Sequence, residues 1–384
     1  MHKSLSCQSL FVVAAGLAAC NSGIQSRFDA NISANDPYGR DGGGGMLGGG
    51  DGGAPCVSSP DNFDIPGNNC DDDGDGKVDN TTSCDSSLAI DGNAASFAKA
   101  LGLCRSATSG GWGVVSAEYR GGYASSNTID DGQHGILPKF GASIKPREGS
   151  KIGVISSGYA REFDDEFGTS GCFIQGGDML GNYSSDILPG YPKSTAGCSA
   201  STEVNDVIVV RLKLRVPANA KGIGFDFNFF TSEWPSFVCS TFNDGFLAVL
   251  QSKAFNNGKP ENISFDPNNN PVSVNNDFFD RCTPNVQTGC YGDSLGISKC
   301  AGGEAELLGT GYYCKDEYCF GGGQSTGGGA TGWLETKAPV LPGETITLDF
   351  MIWDTGDNAL DSSALIDNFR WEAGETTIKT DRPR

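Results

Sequence analysis

Three observations predict an all-β fold. The chain contains 22 phenylalanines and 56 glycines, a composition typical of strands separated by many turns. Runs of good helix formers are scarce. Apolar and polar residues alternate in several segments, most clearly from Ile208 to Val216, where every second residue is aliphatic. With 384 residues, the chain is long enough for one or two domains with a sizeable core.

Residues 1–19 are predicted to be a lipoprotein signal peptide. A short basic start precedes the apolar run Leu10–Ala19, which is too short to span a bilayer as a mature helix. The run ends in Leu17-Ala-Ala-Cys20, which is similar to the lipobox of bacterial lipoproteins. This resemblance implies cleavage before Cys20 and its acylation, and Asn21 in place of Asp favours the outer membrane, surface-exposed or facing the periplasm. The alternative is ordinary signal cleavage in which Cys20 has no role.

Residues 20–55 are predicted to form a disordered tether. The segment Asp41–Gly53 is almost entirely glycine, so it offers little apolar surface to bury and much backbone freedom to lose on folding. A flexible segment of this length would hold the following domain away from the membrane surface.

Residues 56–89 are predicted to form a small acidic calcium-binding module. Its candidate ligands are Asp71, Asp73, Asp75 and Asp79. With Gly76, they have the spacing of the first two-thirds of an EF-hand calcium loop. Thr82 stands where an EF-hand has a bidentate Glu, and no EF-hand helix flanks the loop; the segment also resembles the Cys- and Asp-rich metal-binding motifs of bacterial surface proteins. The alternative is a solvated acidic linker.

The cysteines predict a set of disulfide bonds. Of the 14 cysteines, Cys7 leaves with the signal and Cys20 is assigned to lipid, so an even number remains in an exported chain. The spacing leaves the pairing open, and zinc binding by Cys314 and Cys319 lacks a second cysteine pair to complete it. The disulfide candidates are Cys56, Cys70, Cys84, Cys104, Cys172, Cys198, Cys239, Cys282, Cys290, Cys300, Cys314 and Cys319.

The remaining elements follow from local patterns. One helix is predicted within residues 90–104, capped by Asp91 or Asn93 and ended by Gly102. Strands are predicted at 112–119, 151–156, 206–216, 223–229, 246–250, 345–353 and 364–371. Residues 251–333 lack periodicity and contain five cysteines, which predicts a long disulfide-rich insert of loops and short strands. Residues 373–384 are assigned as a tail.

Two polar loops between predicted strands carry a second set of candidate calcium ligands. The candidates are Glu233, Asn243 and Asp244 in the first loop, and Asp354, Asp357 and Asp361 in the second. Oxygen ligands on loops between buried strands suit a hard cation. If the strands before the two loops run in the same direction in a sandwich, the loops emerge at one end, and a subset of the six would bind one calcium ion. The alternative is that these side chains only cap turns.

Charge and histidine content exclude several classes of function. The formal net charge of -20 argues against nucleic-acid binding, and also against docking on anionic lipid by charge alone. With only two histidines, a zinc site with several histidines is impossible. His134 lies in a turn-like setting with no evident orienting partner, which argues against a catalytic role.

Several motifs together resemble the choice-of-anchor L domain of bacterial exported proteins, over about residues 90–372. The motifs are Ala100–Leu103, Ile155–Ala160, Gly177-Asp178 before Leu180, Phe229–Pro235, Phe242–Phe246 and Ile352–Ile366. One departure is Trp234, which stands where a second Glu is usual. The resemblance implies an extracellular, jelly-roll-like β-sandwich joined to a membrane or wall anchor, and it names no binding target.

These observations favour a lipid-anchored, calcium-supported extracellular binding or adhesion module of a bacterial cell surface, without enzyme activity. Its partner would be a surface glycan or another protein. One alternative is a secreted glycosidase-like hydrolase, which needs two carboxylates about 5 to 9.5 Å apart; Glu233 with Asp244 or Asp361 would supply them. Another is a purely structural envelope lipoprotein.

Overall fold

The computed structural model describes residues 56–107, 110–161, 185–199, 201–276, 278–290, 296–315 and 326–383. Across these ranges regular structure is almost entirely β-strand, and the prediction of an all-β fold is confirmed. The signal peptide, Cys20 and the tether lie outside the described residues, as do Cys172, Cys319 and the Gly177-Asp178 motif. Residues 55–384 form one compact unit that includes the acidic module.

The structure has one α-helix and 17 strands in the described ranges, together with three short 3-10 helices at Asp131–Gln133, Asn256–Gly258 and Ala305–Leu307. In chain order the elements are α1 (Ala94–Ala100), β1 (Gly113–Arg120), β2 (His134–Leu137), β3 (Ile152–Ser156), β4 (Val204–Arg215), β5 (Gly222–Thr231), β6 (Gly245–Gln251), β7 (Glu261–Asn262), β8 (Val272–Ser273), β9 (Gln287–Thr288), β10 (Gly296–Ile297), β11 (Cys314–Lys315), β12 (Thr326–Gly327), β13 (Gly329–Ala330), β14 (Leu334–Pro339), β15 (Thr345–Thr355), β16 (Ser362–Glu372) and β17 (Lys379–Asp381).

Two antiparallel sheets form the sandwich. Sheet I has the strand order β1-β4-β15-β6-β7, with β8 also pairing with β6. Sheet II has the order β17-β14-β5-β16-β3-β2, with β13 also pairing with β5. The predicted insert contributes the short strands β7 to β13, of which β9 pairs with β10 and β11 with β12. Each of the seven strands predicted from alternation is present, with ends shifted by one or two residues.

The main core lies between the sheets and is built largely from phenylalanines. Phe225 and Phe227 of β5 point into it from sheet II, and both are fully buried. Their rings contact those of Phe350 and Phe246 in sheet I, with centroids 5.0 and 4.9 Å apart. Burial of one such side chain contributes about 1.5–3 kcal/mol, so these four residues hold the two sheets together.

The opposite face of β5 is also buried, although the alternation predicts that it faces solvent. Asp226 is only 1% exposed. Its carboxylate accepts hydrogen bonds from Arg147 Nε at 3.0 Å, Asn368 Nδ2 at 3.0 Å and Arg370 Nη1 at 3.2 Å. Two arginines therefore compensate this buried charge, which agrees with the rule that buried charges are paired.

The cysteines form disulfide bonds, as their even number predicts. The bonds within the described residues are Cys56–Cys70, Cys84–Cys104, Cys198–Cys239 and Cys282–Cys300. Cys290 is disulfide-bonded as well. The Cys84–Cys104 bond links the acidic module to the segment after α1, and Phe63 of that module packs into the main core.

Candidate metal centre

Four elements deliver side chains to one end of the sandwich. The loop between β5 and β6 begins with Ser232-Glu233 and ends at Asp244. In sheet I, β15 carries Asp354 near its C-terminal end, and Asp361 directly precedes β16. The loops after β5 and β15 therefore meet at the same end of the molecule. This is the arrangement expected if the two strands run in the same direction.

Four of the six predicted loop ligands come together here: Glu233, Asp244, Asp354 and Asp361. We call these four residues, together with Asp206, the carboxylate centre. All five side chains are buried, with at most 1% exposure. The backbone N–H of Asp244 donates to the Glu233 carboxylate at 3.3 Å. Asp244 itself accepts hydrogen bonds from the N–H of Thr355 at 3.0 Å and from the hydroxyl of Ser362 at 2.6 Å.

Asp206 belongs to this centre although it was not among the candidate residues. Asp206, Asp354 and Asp361 each have an oxygen within 4.8 Å of those of the other two. The pairing of β4 with β15 changes register here, since Ile352 faces Ile208 whereas Asp354 faces Asn205. Asp206 has φ of 52°, a left-handed conformation at the resulting bulge. The sequence signal that would have identified Asp206 is its place in the alternation of β4, where it falls on the same face as Ile208.

Asp354 is the least compensated side chain of the centre. Neither of its carboxylate oxygens accepts a hydrogen bond from a nitrogen or hydroxyl group of the residues that the structure describes, and its contact with the Asp244 carboxyl becomes a hydrogen bond only when one of the two acids is protonated. Burial raises the pKa of Asp354 well above its ordinary value, and repulsion from Asp244 and Glu233 raises it further. A buried carboxylate without a donor is costly, and each such group in a native structure requires an explanation.

The neighbouring acids are perturbed in the same direction. Burial raises the pKa of Glu233 well above its usual range, and the charge of Asp244 adds to the effect. Burial also raises the pKa of Asp244 to about 7, although its hydrogen bonds from Ser362 and Thr355 oppose the rise. The largest charge effects on the pKa values of Glu233, Asp244 and Asp354 come from neighbouring carboxylates. Negative charge is therefore concentrated at this site.

A glycine allows the segment after β3 to approach the centre closely. A Cβ placed on Gly158 would lie 2.1 Å from one carboxylate oxygen of Asp361. The preceding Ser157 donates its hydroxyl to the other oxygen of Asp361 at 3.3 Å. The motifs around Ser157, Glu233, Asp244 and Asp361, which carry the family resemblance, therefore meet at this one site.

The other two predicted ligands make different contacts. Asn243 accepts the N–H of Asn275 on its side-chain oxygen at 3.1 Å, which orients the amide toward that backbone. Asp357 is exposed, and its side chain accepts the N–H of Ala359 at 3.3 Å. The charge of Asp357 nevertheless raises the pKa values of Glu233, Asp244 and Asp354.

The acidic module forms a second cluster of carboxylates. Its members differ from the set that the EF-hand spacing predicts. Asp71 and Asp73 each offer an oxygen within 4.8 Å of Asp64, which lies upstream of the predicted loop. Asp71 accepts the backbone N–H groups of Gly74 and Gly76 at 2.8 and 3.0 Å. Gly76 has φ of 89°, so it provides the sharp turn that its position predicts.

Asp75 and Asp79 of the predicted loop hold the module in shape. Asp79 accepts the backbone N–H groups of Asn68 and Asn69, both at 3.1 Å. Asp75 accepts the side-chain amide of Asn80 at 3.0 Å and lies 3.9 Å from the ammonium group of Lys77. The structure thus brings Asp71 and Asp73 together with Asp64 and gives Asp75 and Asp79 other partners.

The chemistry of the carboxylate centre suits a hard divalent cation. Calcium takes six to eight oxygen ligands at about 2.3–2.6 Å, so opposed ligand oxygens lie about 5 Å apart. The 4.8 Å limit on the oxygens of Asp206, Asp354 and Asp361 agrees with that spacing. The donor set is entirely oxygen, which also favours calcium or magnesium over zinc.

Residues 193–369, just under half of the chain, match the family model of the choice-of-anchor L domain. The match supports the family over a shorter stretch than residues 90–372, and it indicates a bacterial surface-associated module. No curated protein and no solved structure matches the chain. In the part of the chain that the structure describes, every helix is too short or too polar to cross a membrane.

Proposed function

We propose that this chain is a calcium-supported binding module of a bacterial cell surface. The range that matches the choice-of-anchor L domain contains every acid of the carboxylate centre. The module would be attached to the outer membrane through acylated Cys20 and would bind a surface glycan or protein. The calcium ion is a structural element in this proposal, joining the loops of the two sheets.

The observation that carries the proposal is the buried and uncompensated carboxylate of Asp354. Its oxygens have no nitrogen or hydroxyl donor in the described ranges, and the groups around them are other carboxyls, those of Asp244, Asp206 and Asp361. Turn capping, the alternative role for these acids, would require backbone N–H donors on that carboxylate. A cation supplies the missing partner, since buried charges are paired or coordinate metals.

The acidic module is proposed as a second and weaker calcium site, formed by Asp64, Asp71 and Asp73. These side chains are only partly buried. Several of their oxygens already accept backbone N–H groups, since Asp64 accepts those of Asp72, Asp73 and Asn80. Because those bonds stabilise the loop without an ion, calcium should contribute less here than at the buried centre.

A binding function is favoured over hydrolysis by the burial of the candidate acid pair. Glu233 and Asp244 are at most 1% exposed. A glycosidase needs two carboxylates that flank a cleft open to the sugar and to water. Acids enclosed between two loops support a structural cation, and we therefore propose a module without enzyme activity.

The proposal is tested by melting the full chain in millimolar calcium and in excess chelator. A cation that binds only the folded form stabilises it by about 2.7 kcal/mol at a hundredfold excess over its dissociation constant. We expect calcium to raise the melting temperature by about 5 °C or more. Every protein in this test also carries Asp71→Asn, which reduces the contribution of the acidic module to the calcium response.

Asp354→Asn separates a metal ligand from a turn cap. In chelator the variant should be at least as stable as the parent, because it removes one of several buried like charges. In calcium it should lose most of the rise in melting temperature. Asp226→Asn is the matched control, because that equally buried carboxylate pairs with Arg147 and Arg370. Asp226→Asn should destabilise the protein in both conditions and keep the calcium response. The proposal would be contradicted if the parent had the same melting curve with and without calcium.

A further inference from the structure

The outer face of sheet I is divided into a covered apolar half and an open polar half. Near the carboxylate centre, Val207 and Val209 of β4 pack with Trp353 of β15 beneath Ile187 and Leu188. Farther along the same strand, Arg211, Lys213 and Arg215 line two adjoining grooves of about 460 and 630 Å³. Lys213, Gln251 and Thr347 line both grooves, so the two form one continuous surface. We call this open half the sheet I groove.

The sheet I groove carries an excess of positive charge in an acidic protein. Lys213, Arg215 and Lys253 are all exposed and line the larger groove. None of the three forms an ion pair with any residue that the structure describes. The whole chain has 47 acidic and 27 basic residues. From this composition, three neighbouring cationic side chains without an acidic partner among the described residues are unexpected.

The acids that line the groove are occupied by other partners. Asp349 forms a bidentate ion pair with Arg211, with N–O distances of 2.9 and 2.8 Å. Glu118 pairs with Arg120 at 3.1 Å. Glu344 accepts the backbone N–H groups of Leu341 and Lys253 at 2.8 and 2.9 Å. These donors to Glu344 are neutral, so its negative charge persists in the larger groove, where the three cations Lys213, Arg215 and Lys253 outnumber it.

We propose that the sheet I groove binds an acidic glycan, a sugar chain bearing carboxylate or sulfate groups. The inference rests on the proposed function, since it names the ligand class of that binding module. The three cations would pair with the anionic groups of the chain. Gln251, Thr345 and Thr347 lie among them and would exchange hydrogen bonds with sugar hydroxyls. At the far end of the groove, half-buried Tyr123 holds the Arg211 guanidinium over its ring, 5.4 Å from the centroid.

The geometry favours a glycan over the other polyanions of a cell envelope. Four strands, β1, β4, β15 and β6, cross the groove, which makes it about 15 Å wide at ordinary strand spacing. A recessed strip of this kind admits a single sugar chain, whereas the flat surface of a bilayer would not reach its floor.

The test measures binding of the full chain, in calcium, to three labelled sugar probes, which are hyaluronan oligosaccharides, dextran sulfate and neutral dextran, and to phosphatidylglycerol vesicles. The anionic probes should bind, and their affinity should fall as salt is added, because exposed charges are screened. Combining Lys213→Ala, Arg215→Ala and Lys253→Ala should weaken binding of the anionic probes about tenfold, the effect of three exposed ion pairs of ordinary strength. All three side chains are exposed, so the melting temperature should not change.

A control variant removes the same charge elsewhere on the surface, at exposed Lys139, Lys145 and Lys379. It should bind the anionic probes as the parent does. Equal loss in both triple variants, equal affinity for neutral dextran, binding only to phosphatidylglycerol vesicles, or no binding of either anionic probe would each overturn the inference. A calcium-dependent melting temperature without glycan binding would refute this inference alone and leave the calcium-supported module intact.

Discussion

At the scale of single residues, the buried carboxylates divide into two groups by their partners. Asp226 and Asp349 are nearly fully buried, and each is ion-paired with arginine. Asp354 is equally buried, yet the largest charge effects on it come from other carboxylates, and its oxygens have no nitrogen or hydroxyl donor in the described ranges. The first group is stable as the structure stands, whereas a cation would stabilise the second.

His134 is a residue whose burial makes stability depend on pH. Its ring stacks on that of Tyr119, with centroids 4.0 Å apart, and it is 5% exposed. Burial lowers the pKa of His134 to about 4, and the positive charge of Arg161 contributes. Between about pH 6.5 and pH 4, the unfolded chain therefore binds a proton at His134 that the folded protein does not bind.

We therefore expect His134 to reduce the stability by up to about 3 kcal/mol as pH falls from 6.5 to 4. His134→Phe keeps a ring against Tyr119 and does not titrate, so its free energy of unfolding should fall less over this interval. Chemical denaturation at pH 7, 5.5 and 4 gives the comparison. Tyr119→Phe is the control and should retain the parental slope; parallel curves for the parent and His134→Phe would contradict the assignment.

At the scale of elements, the caps and turns follow local rules. Helix α1 begins after Asn93, whose side-chain oxygen accepts the N–H of Ser96 at 3.0 Å. It ends before Gly102, which has φ of 91°. Phe97 and Leu101 are fully buried in the main core, so tertiary packing supplies the stability that a seven-residue helix lacks by itself.

Asn93→Ala should reduce the free energy of unfolding by about 1 kcal/mol, because the N–H of Ser96 would lose its acceptor. Urea denaturation of the full chain in calcium measures the difference. Asp91→Ala is the matched control, since the local sequence allows either residue as the cap and the structure selects Asn93. Equal losses in the two variants would show that the cap contributes nothing beyond general charge and packing.

At the scale of the whole molecule, the sandwich topology brings both sheets to the carboxylate centre. Asp206 and Asp354 belong to strands of sheet I, while Glu233 follows β5 of sheet II. Asp361 directly precedes β16 of sheet II. A cation at this position would therefore join the two sheets, which is why chelation is expected to lower the stability of the entire domain.

The membrane attachment of the whole protein depends on Cys20 in our proposal. Cys20→Ala should abolish incorporation of radiolabelled palmitate and release the protein from the membrane fraction, because the thiol that accepts the lipid is lost. Cys7→Ala is the control, since that residue lies in the predicted signal and should not change labelling. Absence of label from the unmutated protein would refute the anchor.

The sequence by itself determined the features that depend on neighbouring residues. Alternation located the long strands, and the capping pattern located α1 between a cap at Asp91 or Asn93 and an end at Gly102. The even number of cysteines indicated disulfide bonds in an exported chain. The same local reasoning selected Glu233, Asp244, Asp354 and Asp361, because these acids lie in or beside the polar loops that connect predicted strands.

The tertiary structure alone decided which acids meet. Asp206 joins the carboxylate centre through a bulge between β4 and β15, and Asp64 joins Asp71 and Asp73 through folding of the acidic module. Asp226, on the face of β5 that alternation assigns to solvent, is buried because Arg147 and Arg370 cover it. The contacts of Asp206 and Asp226 join residues distant in the chain, whereas Asp64 lies only seven and nine residues before Asp71 and Asp73. Their energy depends on burial and on partners from other strands, which no local pattern in the sequence encodes.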